Sequence, residues 1–331
     1  MRLFLIALAS AGVLLGQEVP VAVLTPRGVS AAPAAQPARN VNAGVPVMGY
    51  TLAQDSMEIY PISGTLKRAQ IGPAIELPKG TARVYLPPRQ QYMLLETNPS
   101  KAIGVWNPRS QSAVLIPGTI PHPDAVWFSA RGDAAVLYSA ADALLQVVEN
   151  LPGQASLVRT LSLDSGEPLQ VAVSDDGALV AAASNLGSLA ISSEGRWQAL
   201  AGYSPRAFSF VPKTHDLVIS DRATNQVMLL RNAGALRDAS AVVLAQDIPG
   251  DLIAFTKNGE QMISADSKRG ALWRIDLSTN AVAPLPSASG TRALSVLRDG
   301  YTFLVSSPPP LSFIQLAPAP DLTVAARTPV R

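Results

Sequence analysis

A chain of 331 residues in which 48% of side chains are apolar but only 15% are charged, with 28 Pro and 23 Gly spread along it, lacks the Glu and Lys density of a helical enzyme and reads as many short strands joined by turns. A formal net charge of +2 with no basic block excludes the electrostatic footprint of a nucleic-acid binder. The absence of cysteine excludes disulfides, thiolate metal sites and cysteine nucleophiles, so stability must come from packing and sheet pairing.

The chain opens with Arg2 and an uninterrupted run of apolar and small residues from Leu3 to Leu15. That run is shorter than the roughly 20 apolar residues a spanning helix needs. Residues 1–16 therefore read as a secretory signal peptide, with cleavage after Ala9-Ser10-Ala11 or near Gly16 and Gln17. No later segment is long and apolar enough to anchor in a membrane, so the expectation is an exported protein, periplasmic or secreted, with no membrane span. Residues 17–43 read as a linker. Thr25 to Asn42 carries Pro26, Pro33 and Pro37 among Ala, Ser and Gln and cannot bury enough surface to order itself. Before it, Val19 to Leu24 is apolar enough to be a strand that docks on the body.

Residues 44–331 contain a repeat. A window made of an apolar pair, a polar turn and a second apolar run ending in Ser, Asp or Glu recurs at Tyr85–Glu96, Phe128–Ser139, Val173–Ser184, Phe210–Asp221, Phe255–Asp266 and Val296–Ser307. The fifth residues are Arg89, Gly132, Gly177, Thr214, Gly259 and Gly300, spaced 43, 45, 37, 45 and 41 residues apart. That is the spacing of a four-stranded propeller blade. Asp176-Gly177, Asn258-Gly259 and Asp299-Gly300 read as hairpin turns in which both residues take positive φ. An innermost strand precedes each turn, as at Ala207–Phe210, and a second follows, as at Leu217–Ser220. A third strand lies at Leu144–Val148, Val227–Leu230 and Leu272–Ile275, and an outer one at Ala281–Ala283. One further step back gives a first unit whose second, third and fourth strands fall at Val45–Thr51, Glu58–Tyr60 and Gln70–Ile75. Its innermost strand would be the polar Arg39–Asn42 or the distant Val19–Leu24. The expected fold is an all-β β-propeller of seven blades with four antiparallel strands each, six or eight being the alternatives.

The segment Leu217-Val218-Ile219-Ser220-Asp221-Arg222-Ala223-Thr224-Asn225-Gln226-Val227 resembles the strand, Asp, loop, Asn, strand core of NHL and YVTN-type propeller repeats. Met262 to Leu277 is similar to it, and Val173-Ser174-Asp175-Asp176-Gly177 resembles turns of YVTN-type and Tol-associated propellers. The resemblance covers residues 44–331 and implies architecture. It implies no single activity, because such repeats serve enzymes, scaffolds and receptors alike.

Chemistry-bearing residues are sparse. His122 lies in a loop between units and His215 in a hairpin turn, at opposite ends by the repeat register, which argues against a shared zinc site or a Ser-His-Asp triad. Asp175, Asp176 and Asp251 are explained by turn geometry, since a hard cation needs several converging oxygens. Trp106, Trp127, Trp197 and Trp273 fall on strands of different units, as packing residues do. There is no Gly-x-Gly-x-x-Gly segment and no tryptophan-ended quinone-docking repeat, so no cofactor is expected. What remains is the loop face around the channel mouth, carrying Lys101, His122, Asp124, Arg206, Asp221, Arg222, Asp266, Lys268, Arg269 and Arg292. The leading expectation is an exported, non-enzymatic binding or scaffold protein, acting as a monomer, that recognises a protein or polysaccharide partner in the cell envelope through that face. The alternative is a propeller hydrolase or lactonase with a channel-bound metal on Asp221 and Asp266.

Overall fold

The computed structural model describes residues 46–52, 58–163, 166–185, 187–235, 239–286, 291, 293–305, 311–316 and 325–327. They form seven antiparallel sheets, each keeping its strands in chain order. The first holds β1 (Val47–Leu52), β2 (Ile59–Ser63) and β3 (Gln70–Ile71). The second holds β4 (Thr81–Tyr85), β5 (Met93–Thr97), β6 (Ala102–Asn107) and β7 (Ser112–Leu115). The third holds β8 (Ala125–Phe128), β9 (Ala135–Ser139), β10 (Leu144–Glu149) and β11 (Ser156–Ser162). The fourth holds β12 (Pro168–Val173), β13 (Leu179–Ser184), β14 (Leu189–Ser193) and β15 (Arg196–Leu200). The fifth holds β16 (Pro205–Phe210), β17 (Leu217–Asp221), β18 (Val227–Arg231) and β19 (Ser240–Ala245). The sixth holds β20 (Leu252–Phe255), β21 (Gln261–Asp266), β22 (Ala271–Asp276) and β23 (Val282–Leu285). The seventh holds β24 (Ser295–Val296), β25 (Thr302–Leu304), β26 (Leu311–Gln315) and β27 (Ala325–Arg327). The chain is an all-β, seven-bladed β-propeller. Six blades show four strands, and the first shows three among the described residues. The expected signal peptide and linker, the candidate strands at Val19–Leu24 and Arg39–Asn42, and Gly44, Val45 and Arg292 lie outside the described residues.

Position within a blade explains composition. Second strands are covered on both faces by neighbouring blades, so β9, β13 and β17 are buried throughout and read as continuous runs rather than alternations. Outer strands have one open edge, and β7 is exposed along its whole length. Seven apolar clusters sit one at each blade-to-blade junction. Phe208, Phe210 and Ile219 of the fifth blade pack on Ala181 and Ile191 of the fourth, for example. The ring closes the same way: Ile62 and Ala69 of the first blade meet Leu297, Leu304 and Phe313 of the seventh.

The innermost hairpins depart from the sequence expectation in one respect. Only the glycines take positive φ, at 76° for Gly132, 70° for Gly177, 76° for Gly259 and 78° for Gly300, and Asp176, Asn258 and Asp299 do not. Their side chains instead accept backbone N–H groups two residues on, as in Ala178 N to Asp176 Oδ1 at 3.0 Å and Tyr301 N to Asp299 Oδ1 at 2.9 Å. Where the glycine is missing, in the second and fifth blades, Pro88 and Pro212 come first and Arg89 and Lys213 adopt φ of 62° and 63°. The repeat register that equates Arg89 with Gly132 is off by one: the turn bond runs from Gln90 N to Pro87 O, where the third blade has Gly132 N to Ser129 O.

Gln90 thus stands at the place of Gly132, with a φ of 44°, and its side chain reaches the junction of the first blade. Pro61, opposite Tyr50, turns its carbonyl outward to Gly72 N, so the Tyr50 backbone groups face inward. The Gln90 side chain pairs with both: Tyr50 N donates to Gln90 Oε1 at 2.6 Å, and Gln90 Nε2 donates to Tyr50 O at 3.0 Å. Arg298 N donates to Met48 O at 3.1 Å. One amide side chain and one backbone N–H thus take the place of strand partners along this stretch of β1.

Candidate functional site

Because each blade is a simple antiparallel meander, the loops after second strands and the links between blades share one end. The tight innermost hairpins share the other. At the hairpin end, Asp175 ties three blades together: Arg131 N donates to its Oδ1 at 3.0 Å and Lys213 N to its Oδ2 at 2.7 Å. His215 Nε2 lies 2.8 Å from Asp176 Oδ2 in the same rim. Burial raises the Asp176 carboxyl, but hydrogen bonds from the Ser174 hydroxyl, His215 and the Ala178 N–H outweigh it and leave the pKa below its ordinary value. His122 sits at the opposite end, its Nδ1 2.6 Å from Oε1 of the buried Glu96.

At the loop end, the structure gathers Arg206, Arg222, Asp266, Lys268 and Arg269 around one polar cleft of about 730 Å³ between the fifth and sixth blades. Asn225, Asp247, Pro249 and Asp251 complete its wall. Arg206 enters from β16, with Nη2 donating to Asn225 Oδ1 at 2.6 Å. Its Nε is buried without a hydrogen-bond partner among the described residues. Arg222 follows β17, and Lys268 and Arg269 follow β21. All three are exposed.

Three of the acids at the cleft, Asp221, Asp251 and Asp266, are engaged by the backbone, and Asp247 is exposed. Asp221 is buried and accepts Ser204 N at 2.6 Å on Oδ1, and Thr224 N at 2.9 Å and Thr224 Oγ1 at 2.8 Å on Oδ2. Burial pushes its pKa up, and those hydrogen bonds pull it further down, so the group stays ionised. Asp266 Oδ1 accepts Lys268 N at 3.0 Å and Arg269 N at 3.1 Å. Its Oδ2 lies 3.8 Å from Arg269 Nε. Asp251 accepts Ser267 N at 2.8 Å and the Ser267 hydroxyl. These bonds shape the loops that present the cations. Among the described residues no three of His, Asp and Glu come together as a metal-holding group.

Lys101, His122 and Asp124 lie on the same end but do not line the cleft. Lys101 O accepts His122 N at 3.2 Å. Asp124 Oδ2 accepts Ala140 N at 2.7 Å, the counterpart of Asp251 and Ser267 three blades on. Asn225 and Asp247 were not among the expected residues. The signal for them is an Asn and an Asp in loops, side chains that tolerate the left-handed φ of 54° and 58° they adopt.

Two smaller hollows lie in a row beside the cleft. One, of about 270 Å³, shares Arg206 and Arg222 with it and runs past Leu169, Gln170 and Ser184 of the fourth blade. The other, also about 270 Å³, shares Ala183 and Ser184 with the first and ends on Leu163, Ala190 and Trp197. No helix among the described residues is long and apolar enough to cross a membrane.

No protein-family model matches the chain, and no curated sequence matches it significantly, so the NHL and YVTN resemblance rests on the residues quoted for it. Among solved structures, the chain is similar to Kuenenia stuttgartiensis hydrazine synthase at 12% identity and a TM-score of 0.50, over 88% of this chain and 99% of that one. It is also similar to the β-propeller domain of Myceliophteria thermophila Cps50 (Swd1), at 16% identity and a TM-score of 0.47, over 64% of this chain and 73% of that domain. At such identities the first likeness carries the propeller architecture alone.

Proposed function

We propose that this protein is an exported, non-enzymatic binding propeller that recognises a partner in the cell envelope through the cleft between its fifth and sixth blades. The observation that supports this reading is the gathering of Arg206, Arg222, Lys268 and Arg269 on one concave polar surface whose nearby Asp221, Asp251 and Asp266 already accept backbone N–H groups. Cations held by preformed loops bind without reorganising, and binding groups on propeller loops are free to vary while the blades hold them in place. Export rests on Arg2 and the Leu3–Leu15 run. Mass spectrometry of protein from its host should find an N-terminus between residues 10 and 20, and a retained Met1 in a cytosolic fraction would overturn it.

The partner test is affinity capture from the envelope fraction, comparing the native protein with Arg222→Glu/Lys268→Glu. A partner held by the native protein and lost by the double variant supports the cleft. Equal capture by both places recognition elsewhere. The metal-dependent hydrolase alternative predicts that a chelator lowers the melting temperature. With Asp221 and Asp266 engaged as they are, the expected shift is none, because no folding energy comes from an ion there.

A further inference from the structure

We infer that the ligand of this surface is an acidic peptide in extended form, a partner segment with a carboxylate cluster at one end and an apolar side chain at the other. The inference rests on the binding-propeller reading and names its ligand class. Three observations carry it. The first is charge. Four cations line the cleft between the fifth and sixth blades against three carboxylates, Asp247, Asp251 and Asp266, and among the described residues the one ion pair any of the cations makes is the loose 3.8 Å contact of Arg269 with Asp266. Arg206 additionally holds a buried, unpartnered Nε–H beside its bond to Asn225. Its bond goes to a neutral amide and leaves the guanidinium charge without an acid among the described residues, and a charge-assisted pair is about twice as strong as a neutral hydrogen bond.

The second observation is adjacency. The cleft shares Arg206 and Arg222 with the hollow along the fourth blade, and that hollow shares Ala183 and Ser184 with the one that ends on Trp197, so the three lie side by side along this end of the blades. A compact anion would fill the first cleft and leave the rest unused. An extended chain uses all three.

The third is the change of character along the way. The far hollow is lined by Leu163, Pro168, Ala182, Ala190 and Trp197, and Leu169 stands 66% exposed beside the middle one. A uronate polysaccharide repeats its charge at every sugar and wants aromatic platforms along its length. Here the charge is confined to one end, and a single tryptophan stands at the other. A peptide varies its side chains from residue to residue and matches such a gradient.

The probes are pools of short fluorescein-labelled peptides with two Asp or Glu at one end and Leu, Val or Phe at the other. A second pool has Asn and Gln for the acids, a third has Ser and Gly for the apolar residues, and labelled oligogalacturonate serves as the sugar. Fluorescence anisotropy should show the acidic-apolar pool binding at low salt, with at least about a tenfold loss in each of the other peptide pools. Arg222→Glu/Lys268→Glu, a change confined to exposed loops, should abolish the preference for acids while circular dichroism stays native. Equal binding of the amide pool, or full affinity of the acidic pool for the double variant, overturns the inference. Oligogalacturonate binding that the double variant loses, with no peptide binding, overturns the peptide assignment and leaves the binding-face reading standing. If neither probe binds and capture finds no cleft-dependent partner, both fall.

Discussion

Asp276 closes the turn between β22 and β23 with a single oxygen. Its Oδ1 accepts Ser278 N at 3.0 Å, Ser278 Oγ at 2.6 Å, Thr279 N at 3.0 Å and Thr279 Oγ1 at 3.0 Å. The Ser278 hydroxyl leads, and together these donors hold the carboxyl down at about 2 from 3.8. A depressed folded pKa means that the stabilisation is complete above the unfolded value and is lost as pH falls through the folded one. The Asp276 contribution should therefore be intact at pH 4 and fade toward pH 2. Carbon-detected NMR titration checks this directly: a midpoint near 4 would refute the turn geometry. The turn is largely solvated, so Asp276→Ala should cost only about 0.5–1 kcal/mol in urea unfolding. This turn was legible, because Asp-Leu-Ser-Thr-Asn between apolar runs is turn chemistry. The roles of Asp221 and Asp124 were not. Their donors come from Ser204, 17 residues away, and from Ala140, 16 away, and only the fold brings those N–H groups to them.

At the scale of the element, the junction of the first blade depends on a side chain acting as a piece of strand. Gly49 and Gln90 are matched: a Cβ on Gly49 would lie 2.6 Å from Gln90 Oε1 and 2.7 Å from Leu297 Cδ2. Gln90→Ala leaves the Tyr50 N–H and C=O without their partner in a buried place, at about 1–3 kcal/mol for each unsatisfied group. Gly49→Ala should destabilise by about 1–3 kcal/mol through overpacking. Gly49→Ala/Gln90→Ala should cost less than the sum of the two, because removing the amide makes room for the methyl. Urea unfolding of the four proteins measures the cycle, and strict additivity would show that Gln90 does not occupy this position. Sequence could not reveal the device. Gln90 reads as one polar residue in a polar turn, and the one-residue shift in register that sets it at the place of Gly132 shows only in the turn bonds.

The molecule as a whole was the most legible level. Blade spacing, the order of innermost to outer strands and the strand roles in the first blade follow from apolar runs and turn pairs, which report burial on two faces and tight reversal. Ring closure was not legible, because it is a contact between residues some 240 positions apart. It is carried by Ile62 and Ala69 against Leu297, Leu304 and Phe313, by Arg298 N on Met48 O, and by the Arg298 guanidinium 5.9 Å over the Tyr50 ring. Gln90 seals the next stretch of the same edge. With these contacts in place, a further strand laid along β1 would have to displace Gln90 from Tyr50 before it could pair there. A chain starting at Pro46 is therefore expected to close by itself, remain monodisperse, and melt within about 2–3 °C of the longer protein, a shift corresponding to roughly 1 kcal/mol in a domain of this size. Differential scanning calorimetry with size-exclusion chromatography on chains starting at Gln17 and at Pro46 makes the comparison. Aggregation of the shorter chain, or a melting temperature lower by ten degrees or more, would show that residues 17–45 supply a strand the ring needs. Restoring Val19–Leu24 or Arg39–Ala43 separately would then identify which one.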